Sequence, residues 1–208
     1  MKLSKEAEYL KSKDKILEKI ILEDLEVFKS RGSVYESLLS SIISQQISTS
    51  AANSIRERFL KIFRDKFPTT KQLLSFEEEK LRSAGLSKQK VSYMKSVAKH
   101  WIDEKLDEKK FTNMSDEEII NDLVKIKGVG EWTAEMILMF SLLRPDIYSY
   151  KDLALTNTVI ELYKIKKDNF TPKKLKEKVL KITKEWSPQR SLASRYLWHY
   201  RGLQKKKK

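Results

Sequence analysis

The sequence predicts an all-α fold of two helical lobes with a cleft between them. Three observations carry this expectation. Apolar residues recur at helical spacing through most of the chain, with Ser, Thr or Pro at the starts of runs and Gly at the ends of several. Glycine and proline are scarce, five and four among 208 residues, too few for a turn-rich all-β domain. No internal repeat and no convincing strand alternation occurs. With 40% apolar residues, including four Trp, eight Tyr and eight Phe, there is material for a sizeable core. The whole chain, 1–208, is read as one domain made of the two lobes, ending in a basic tail over 203–208.

The elements follow in order. Ile16, Ile20, Leu25 and Phe28 give a loose helical stripe ended by Arg31-Gly32. Ser33 caps a helix carrying Leu38, Leu39, Ile42 and Ile43. Ser48-Thr49-Ser50 breaks it and caps the next, whose inner face holds Ala52, Ile55, Phe59 and Phe63. Pro68 and Thr69 open a short helix toward Leu74, and Gly85 closes another at Ala84. Ser87 starts a helix through Val91, Met94, Val97 and Trp101. The charged run from Asp103 to Lys110 is expected to be the crossing between lobes. Ser115 and Glu118 form a capping box for a helix reaching about Val124. After Gly128 and Gly130 an apolar helix holds Ala134, Ile137, Leu138 and Phe140. Thr171-Pro172 and Ser187-Pro188 open the last two helices. Trp101 and Trp186 are expected in the core or between packed elements.

Charge and composition narrow the function. The formal net charge is +14, and without the four lysines at Lys205 to Lys208 the rest still carries +10. Such a field favours a polyanion or an anionic membrane surface, although a lysine-rich surface is also an ordinary solvated one. Absence of cysteine excludes disulfides, thiolate-held zinc and a cysteine-ligated iron–sulfur cluster, and is compatible with a reducing cytosol. His100 and His199 are too far apart to form a local metal motif. The N-terminus is charged throughout, with no apolar signal core, and no segment is long enough to span a bilayer.

The most informative segment is LVKIKGVGEWTAE, Leu123 to Glu135. One helix ends, Gly128-Val129-Gly130 makes a tight hairpin, and a second helix begins. Unpaired N–H groups and the positive dipole end at that second start suit a phosphate oxygen, with Lys125 and Lys127 beside it. An ordinary helical hairpin would also use glycines, so the lysines and Thr133 add the case for a DNA backbone.

IKGVGEWTAEMIL resembles the helix-hairpin-helix signature of the base-excision glycosylase superfamily. More narrowly it resembles the 3-methyladenine DNA glycosylase II, or alkylation-repair, branch. IISQQISTSAA, AGLSKQKVSYMKSVA and WSPQRSLASRYLW resemble three further family segments, in order and spacing, over roughly Val34 to Trp198. The length leaves no room for the extra N-terminal β-rich domain of some members, and the missing cysteines exclude the cluster of others.

The resemblance implies site residues. It places Asp152, in RPDIYSYKDLALTNT, at the catalytic carboxylate. Cleavage of an N-glycosidic bond builds positive charge on the deoxyribose, which a fixed carboxylate stabilises while it orients water. A helix N-cap just before Leu-Ala-Leu is the structural alternative, compatible with the same role. Asp146 is the rival carboxylate, with structure its expected role. Bifunctional relatives carry a Lys nucleophile where this chain has Trp132, so water is the expected nucleophile and an abasic site the product. Trp132 and Trp198, with Tyr35 and Tyr150 as weaker candidates, are implied to wall the pocket for a flipped, often cationic, purine. Gln46 is the implied wedge filling the vacated stack, and Gln45 is expected at the opposite base. The backbone carbonyls of Val124, Ile126 and Val129 match those that hold a structural Na+ or K+ in the family. No cofactor is expected for catalysis. Arg190 and Ser191 match a family element; for Arg190, organising the loop that bears Asp152 and meeting DNA are both open, and neither role is assigned.

The expected partner is double-stranded DNA with alkylated bases, the expected state a monomer, and the expected place the cytoplasm (nucleoid) or a nucleus. A non-catalytic helical DNA-binding protein explains charge and hairpin but leaves Asp152 and the Trp pair idle. A glycosylase for other damaged or mismatched bases fits poorly with Trp132 and the absent cluster. A membrane-surface bundle does not explain the hairpin.

Overall fold

The computed structural model describes residues 3–26 and 29–206. Among them every regular element is helical: α1 (Lys5–Lys13), α2 (Lys15–Glu18), α3 (Val34–Ser44), α4 (Thr49–Ile62), α5 (Thr70–Ser75), α6 (Glu78–Arg82), α7 (Lys88–Asp103), α8 (Glu108–Thr112), α9 (Asp116–Leu123), α10 (Glu131–Phe140), α11 (Leu153–Leu162), α12 (Pro172–Lys184) and α13 (Arg190–Lys206), with a short 3-10 turn at Lys167–Asn169. The boundaries follow side-chain caps. The hydroxyls of Ser33, Ser48, Thr69, Ser87, Ser115 and Thr171 each accept a first-turn N–H, and Thr69/Gln72 and Ser115/Glu118 close full capping boxes.

The chain forms two compact units: Ser30–Leu142, and Met1–Lys29 together with Leu143–Lys208. The central unit holds α3 to α10. Its core holds much of what the helical spacing singled out: Leu38, Leu39, Ile42, Phe59, Val91, Met94, Val97, Ala134 and Leu138 are fully buried, with Leu123 beside them, while Ile55, Phe63, Leu74 and Trp101 are only partly buried. The α3 and α5 helices pack on α7, and α10 packs on α9 and α3.

The second unit builds its core from Leu10, Leu17, Ile21, Leu155, Val159, Val179, Trp186, Ala193, Tyr196 and Leu197. Asp14 is its hub. Asp14 breaks the N-terminal helix after Lys13, caps α2 through the N–H groups of Ile16 and Leu17, and accepts the buried Trp186 indole at 2.8 Å and the Tyr163 hydroxyl. Burial alone would raise the pKa of Asp14. The hydrogen bonds from Tyr163, Trp186, Ile16 and Leu17 outweigh it and hold the carboxyl below its ordinary range.

Three expectations change. The stripe from Ile16 does not run on as a helix: α2 ends at Glu18, and residues Ile21 to Glu26 are irregular. The local pattern could not show that Asp14 would start a new cap, and Phe28 lies outside the described residues. The run Asp103 to Lys110 is not a crossing between units. It lies inside Ser30–Leu142, finishes α7 and starts α8, with Leu106 buried and Glu108 Oε1 accepting the Val34 N–H at 2.9 Å. The chain passes between units at Lys29/Ser30 and Leu142/Leu143. The last helix starts at Arg190, two residues after the proline expected to open it.

Candidate active site and nucleic-acid interface

In the central unit the hairpin is built from α9, a tight turn and α10. Gly128 has φ +91°, a conformation that strains any L side chain, and an added Cβ would lie 2.3 Å from the Tyr93 ring. The turn is held down from α7, since Ser96 Oγ accepts the Lys127 N–H at 3.3 Å. Gly130 is different. It is the N-cap of α10 in extended geometry, gives no side-chain cap, and an added Cβ would meet nothing within 4 Å. The first-turn N–H groups of α10 belong to Glu131, Trp132 and Thr133, and Gly130 offers them no side-chain cap. Thr133 and Val129 have buried side chains, so a contact from either must come from its backbone. Lys127 is exposed, and Lys125 lies 3.4 Å from Asp122, which also meets His100 at 3.2 Å.

The carbonyl of Ile126 accepts the Val129 N–H at 3.0 Å. Those of Val124 and Val129 accept no hydrogen bond among the described residues. Two unengaged carbonyls and one with a lone pair to spare are compatible with a hard monovalent cation.

The turn after α3 carries the two glutamines. Gln46 is exposed at φ +57°. Gln45, expected to reach a base, is turned to the hairpin instead: its Nε2 donates to the Gly128 carbonyl at 2.9 Å. Lys90 Nζ donates to the Ile43 carbonyl at 2.7 Å, satisfying an open end of α3. The turn and the hairpin are thereby one hydrogen-bonded assembly. The doubled Gln in the sequence hinted at two roles but not at this partner.

Trp132 is 42% exposed in the first turn of α10. Tyr35 is not a surface aromatic. It is buried against Trp101, ring centroids 5.5 Å apart, and its hydroxyl has no partner. Burial raises its pKa well above the ordinary phenol value. Beside it lies a surface cavity of about 370 Å³ shared with Trp101, Phe67, Glu36 and Glu108.

In the second unit Asp152 is the N-cap of α11. Its Oδ1 accepts the Leu155 N–H at 2.9 Å and the Trp198 indole N–H at 3.4 Å. The carboxylate is therefore oriented by a helix start, where negative charge is favoured, and by an aromatic donor from α13. Trp198 is partly buried against the unit's core, as is Tyr150, whose ring lies 5.6 Å from Lys176 Nζ. Tyr150 also fixes the segment before Asp152, because its carbonyl accepts Thr156 Oγ1 at 2.7 Å.

Sequence reasoning left Arg190 and Ser191 unassigned. They anchor the segment that leads to Asp152. Arg190 grips Asp146 in bidentate fashion, Nε at 2.8 Å and Nη2 at 2.9 Å, while Ser187 Oγ donates to the same carboxylate at 2.7 Å. Ser191 Oγ donates to the Arg144 carbonyl at 2.6 Å and accepts the Ile147 N–H at 3.0 Å, and its own N–H donates to the Pro145 carbonyl at 2.9 Å. Asp146, the rival carboxylate, is committed to this clamp. The signal in the sequence was the pairing of Arg-Ser with an Asp after proline, too far apart to read without the fold.

The chain is similar in sequence and fold to known proteins over most of its length. The model of the HhH-GPD superfamily of base excision DNA repair proteins matches residues 39–187. DNA-3-methyladenine glycosylase 1 of Schizosaccharomyces pombe is 37% identical over 166 residues, 79% of this chain and 71% of that protein. The crystal structure of a Bacillus halodurans DNA-3-methyladenine glycosidase superposes with a TM-score of 0.81 at 32% identity, covering 94% of this chain and 88% of that one. A Schizosaccharomyces pombe 3-methyladenine DNA glycosylase in complex with abasic DNA superposes with a TM-score of 0.77 at 31% identity, covering 94% and 95%. The chain belongs to the HhH-GPD superfamily of base excision DNA repair proteins.

Proposed function

We propose that this chain is a monofunctional DNA glycosylase that hydrolyses the N-glycosidic bond of alkylated purines in duplex DNA and leaves an abasic site. The observation that carries the reading is Asp152, a carboxylate held by the Leu155 N–H and the Trp198 indole at the start of α11. As the base departs, the deoxyribose becomes cationic. A preorganised carboxylate stabilises that charge and orients the attacking water. The hairpin position of the Schiff-base lysine of bifunctional enzymes is filled by Trp132, whose indole has no amine chemistry. Trp132, 42% exposed in the central unit, offers an electron-rich face to a cationic purine.

The hairpin grips one phosphate through the first-turn N–H groups of α10, where Gly130 leaves room for close approach. The carbonyls of Val124, Ile126 and Val129 would hold a Na+ or K+ that adds positive charge for the same phosphate. Gln46, exposed at the turn, fills the gap left by the flipped nucleotide. Among the described residues no helix is long and apolar enough to cross a membrane.

The deciding experiment is a product analysis on methylated duplex DNA. Free 3-methyladenine should appear while strands stay intact until heat or alkali, and borohydride should trap no enzyme–DNA adduct. Binding without base release would favour the non-catalytic alternative. A trapped adduct would reject the monofunctional assignment.

A further inference from the structure

The second unit carries a charge pattern that the hairpin does not use. In α12, PKKLKEKVLKITK, six of thirteen residues are lysine and Glu177 is the lone acid. Val179 and Thr183 are buried, and Leu175 and Ile182 pack on the unit's core, which fixes the rotation of the helix. Lys174, Lys178, Lys181 and Lys184 then lie in an exposed row at i, i+4, i+7 and i+10, spanning roughly 15 Å at 1.5 Å per residue.

Only Lys181 and Lys184, in the last turn, suit the helix dipole; the rest of this arrangement runs against helix stability. Lys174/Lys178, Lys178/Lys181 and Lys181/Lys184 are like-charge neighbours at i,i+4 or i,i+3 spacing, which repel. Lys173 and Lys174 sit in the first turn, at the positive end of the helix dipole, and no acid offsets them there. Three exposed lysines on other helices do pair with acids along their helix: Lys15 with Glu18, Lys80 with Glu77, Lys99 with Asp103. Among the described residues none of the six α12 lysines has such a partner. A sequence that departs from local stability rules in one place marks a functional face.

We propose that the lysine row of α12 is a second phosphate-binding surface, which takes the backbone of duplex DNA separately from the hairpin. Each strand of duplex DNA carries a charge about every 3.4 Å of axis, so a 15 Å row can meet several phosphates of one strand. The contact reads no sequence and no damage. The proposal rests on DNA being the partner of this family, and not on the identity of the excised base.

The test uses the full chain and an undamaged duplex. Binding is measured from about 50 to 200 mM salt, for wild type and for Lys174→Gln/Lys178→Gln/Lys181→Gln/Lys184→Gln. Each lost phosphate contact reduces the slope of log K against log salt by about 0.9, so two to four contacts reduce it by about 1.8 to 3.6. Across that fourfold salt range the wild type should lose roughly 10- to 150-fold more affinity than the variant. A control variant, Lys5→Gln/Lys15→Gln/Lys80→Gln/Lys99→Gln, has the same net charge and should keep nearly the wild-type slope. If circular dichroism shows the quadruple row variant unfolded, Lys178→Gln/Lys181→Gln is used, with an expected reduction of about 1.8. An unchanged slope in a folded row variant overturns the proposal, as does an equal reduction in the control. Loss of retention on anionic phospholipid vesicles with an unchanged DNA slope also overturns it, in favour of a membrane surface. Because no lesion is used, failure to excise alkylated bases would leave this result standing.

Discussion

Replacing Arg190 tests how the second unit holds its carboxylate loop. Arg190→Met keeps most of the side-chain volume and removes two charge-assisted hydrogen bonds to Asp146, at 2.8 and 2.9 Å. Bonds of this type contribute about 1.5–3 kcal/mol each when shielded. Here the pair is partly open, Arg190 being 35% and Asp146 25% exposed, so solvent screening reduces the sum. Asp146 also keeps Ser187 Oγ and the Arg190 N–H. The expected cost is about 2 kcal/mol, a fall in melting temperature of about 4–8 °C for a chain of this size.

The pH dependence has a definite sign. Burial would raise the pKa of Asp146, but its hydrogen bonds from Arg190 and Ser187 outweigh this and hold it below the ordinary value of 3.8. A carboxyl lowered on folding contributes stability above pH 3.8 that is lost as pH falls through the folded value. The cost of Arg190→Met should therefore be full at neutral pH and shrink below about pH 4. Thermal unfolding of wild type, Arg190→Met, Asp146→Asn and the double variant measures this as a cycle. Additive effects at neutral pH, or a cost that does not shrink in acid, would refute the reasoning.

The central unit gives further expectations. Gln45→Met, close in size but without a donor, should slow excision from duplex DNA, and the effect should largely vanish in a Gln46→Ala background, because the bond to Gly128 acts through the turn that carries Gln46; additive losses in that cycle would reject the coupling. Gly128→Ala should destabilise the fold by about 1–3 kcal/mol, from positive φ and collision with Tyr93, whereas Gly130→Ala should cost at most about 1 kcal/mol yet weaken DNA binding. Denaturant unfolding and duplex titration separate these outcomes, and a Gly130→Ala protein with wild-type affinity would exclude close phosphate approach there.

Local rules made most of the fold legible. Ser33, Ser48, Thr69, Ser87, Ser115 and Thr171 could be read as caps because each precedes an apolar run of helical period, and each cap is present. The hairpin was legible for the same reason, since Gly-Val-Gly between two such runs permits few backbones. What the sequence hid depends on partners far along the chain. Asp14 starts a new helix while bonding Trp186 and Tyr163, about 150 or more residues away. Gln45 looks like a free polar residue at a helix end, and only folding brings it to Gly128. Tyr35 looks like a candidate for a wet pocket, but its place at the start of α3 puts it under Trp101. The charged run at Asp103 to Lys110 looks like a linker because periodicity fails there, yet the buried side chains of Leu106 and Phe111 anchor it within the central unit.

The central claim is that the Asp152 charge drives the reaction. Asp152→Asn removes that charge and keeps an oxygen for the Leu155 N–H, and Asn is as good an N-cap as Asp, so stability should barely change. The most direct measurement is the single-turnover rate of 3-methyladenine release from duplex DNA, with melting temperature and duplex affinity measured on the same preparations. The account predicts a rate lower by about 10²–10³, roughly 3–4 kcal/mol of lost transition-state stabilisation, with folding intact and binding retained. A folded Asp152→Asn protein that releases the base at close to the wild-type rate would contradict it.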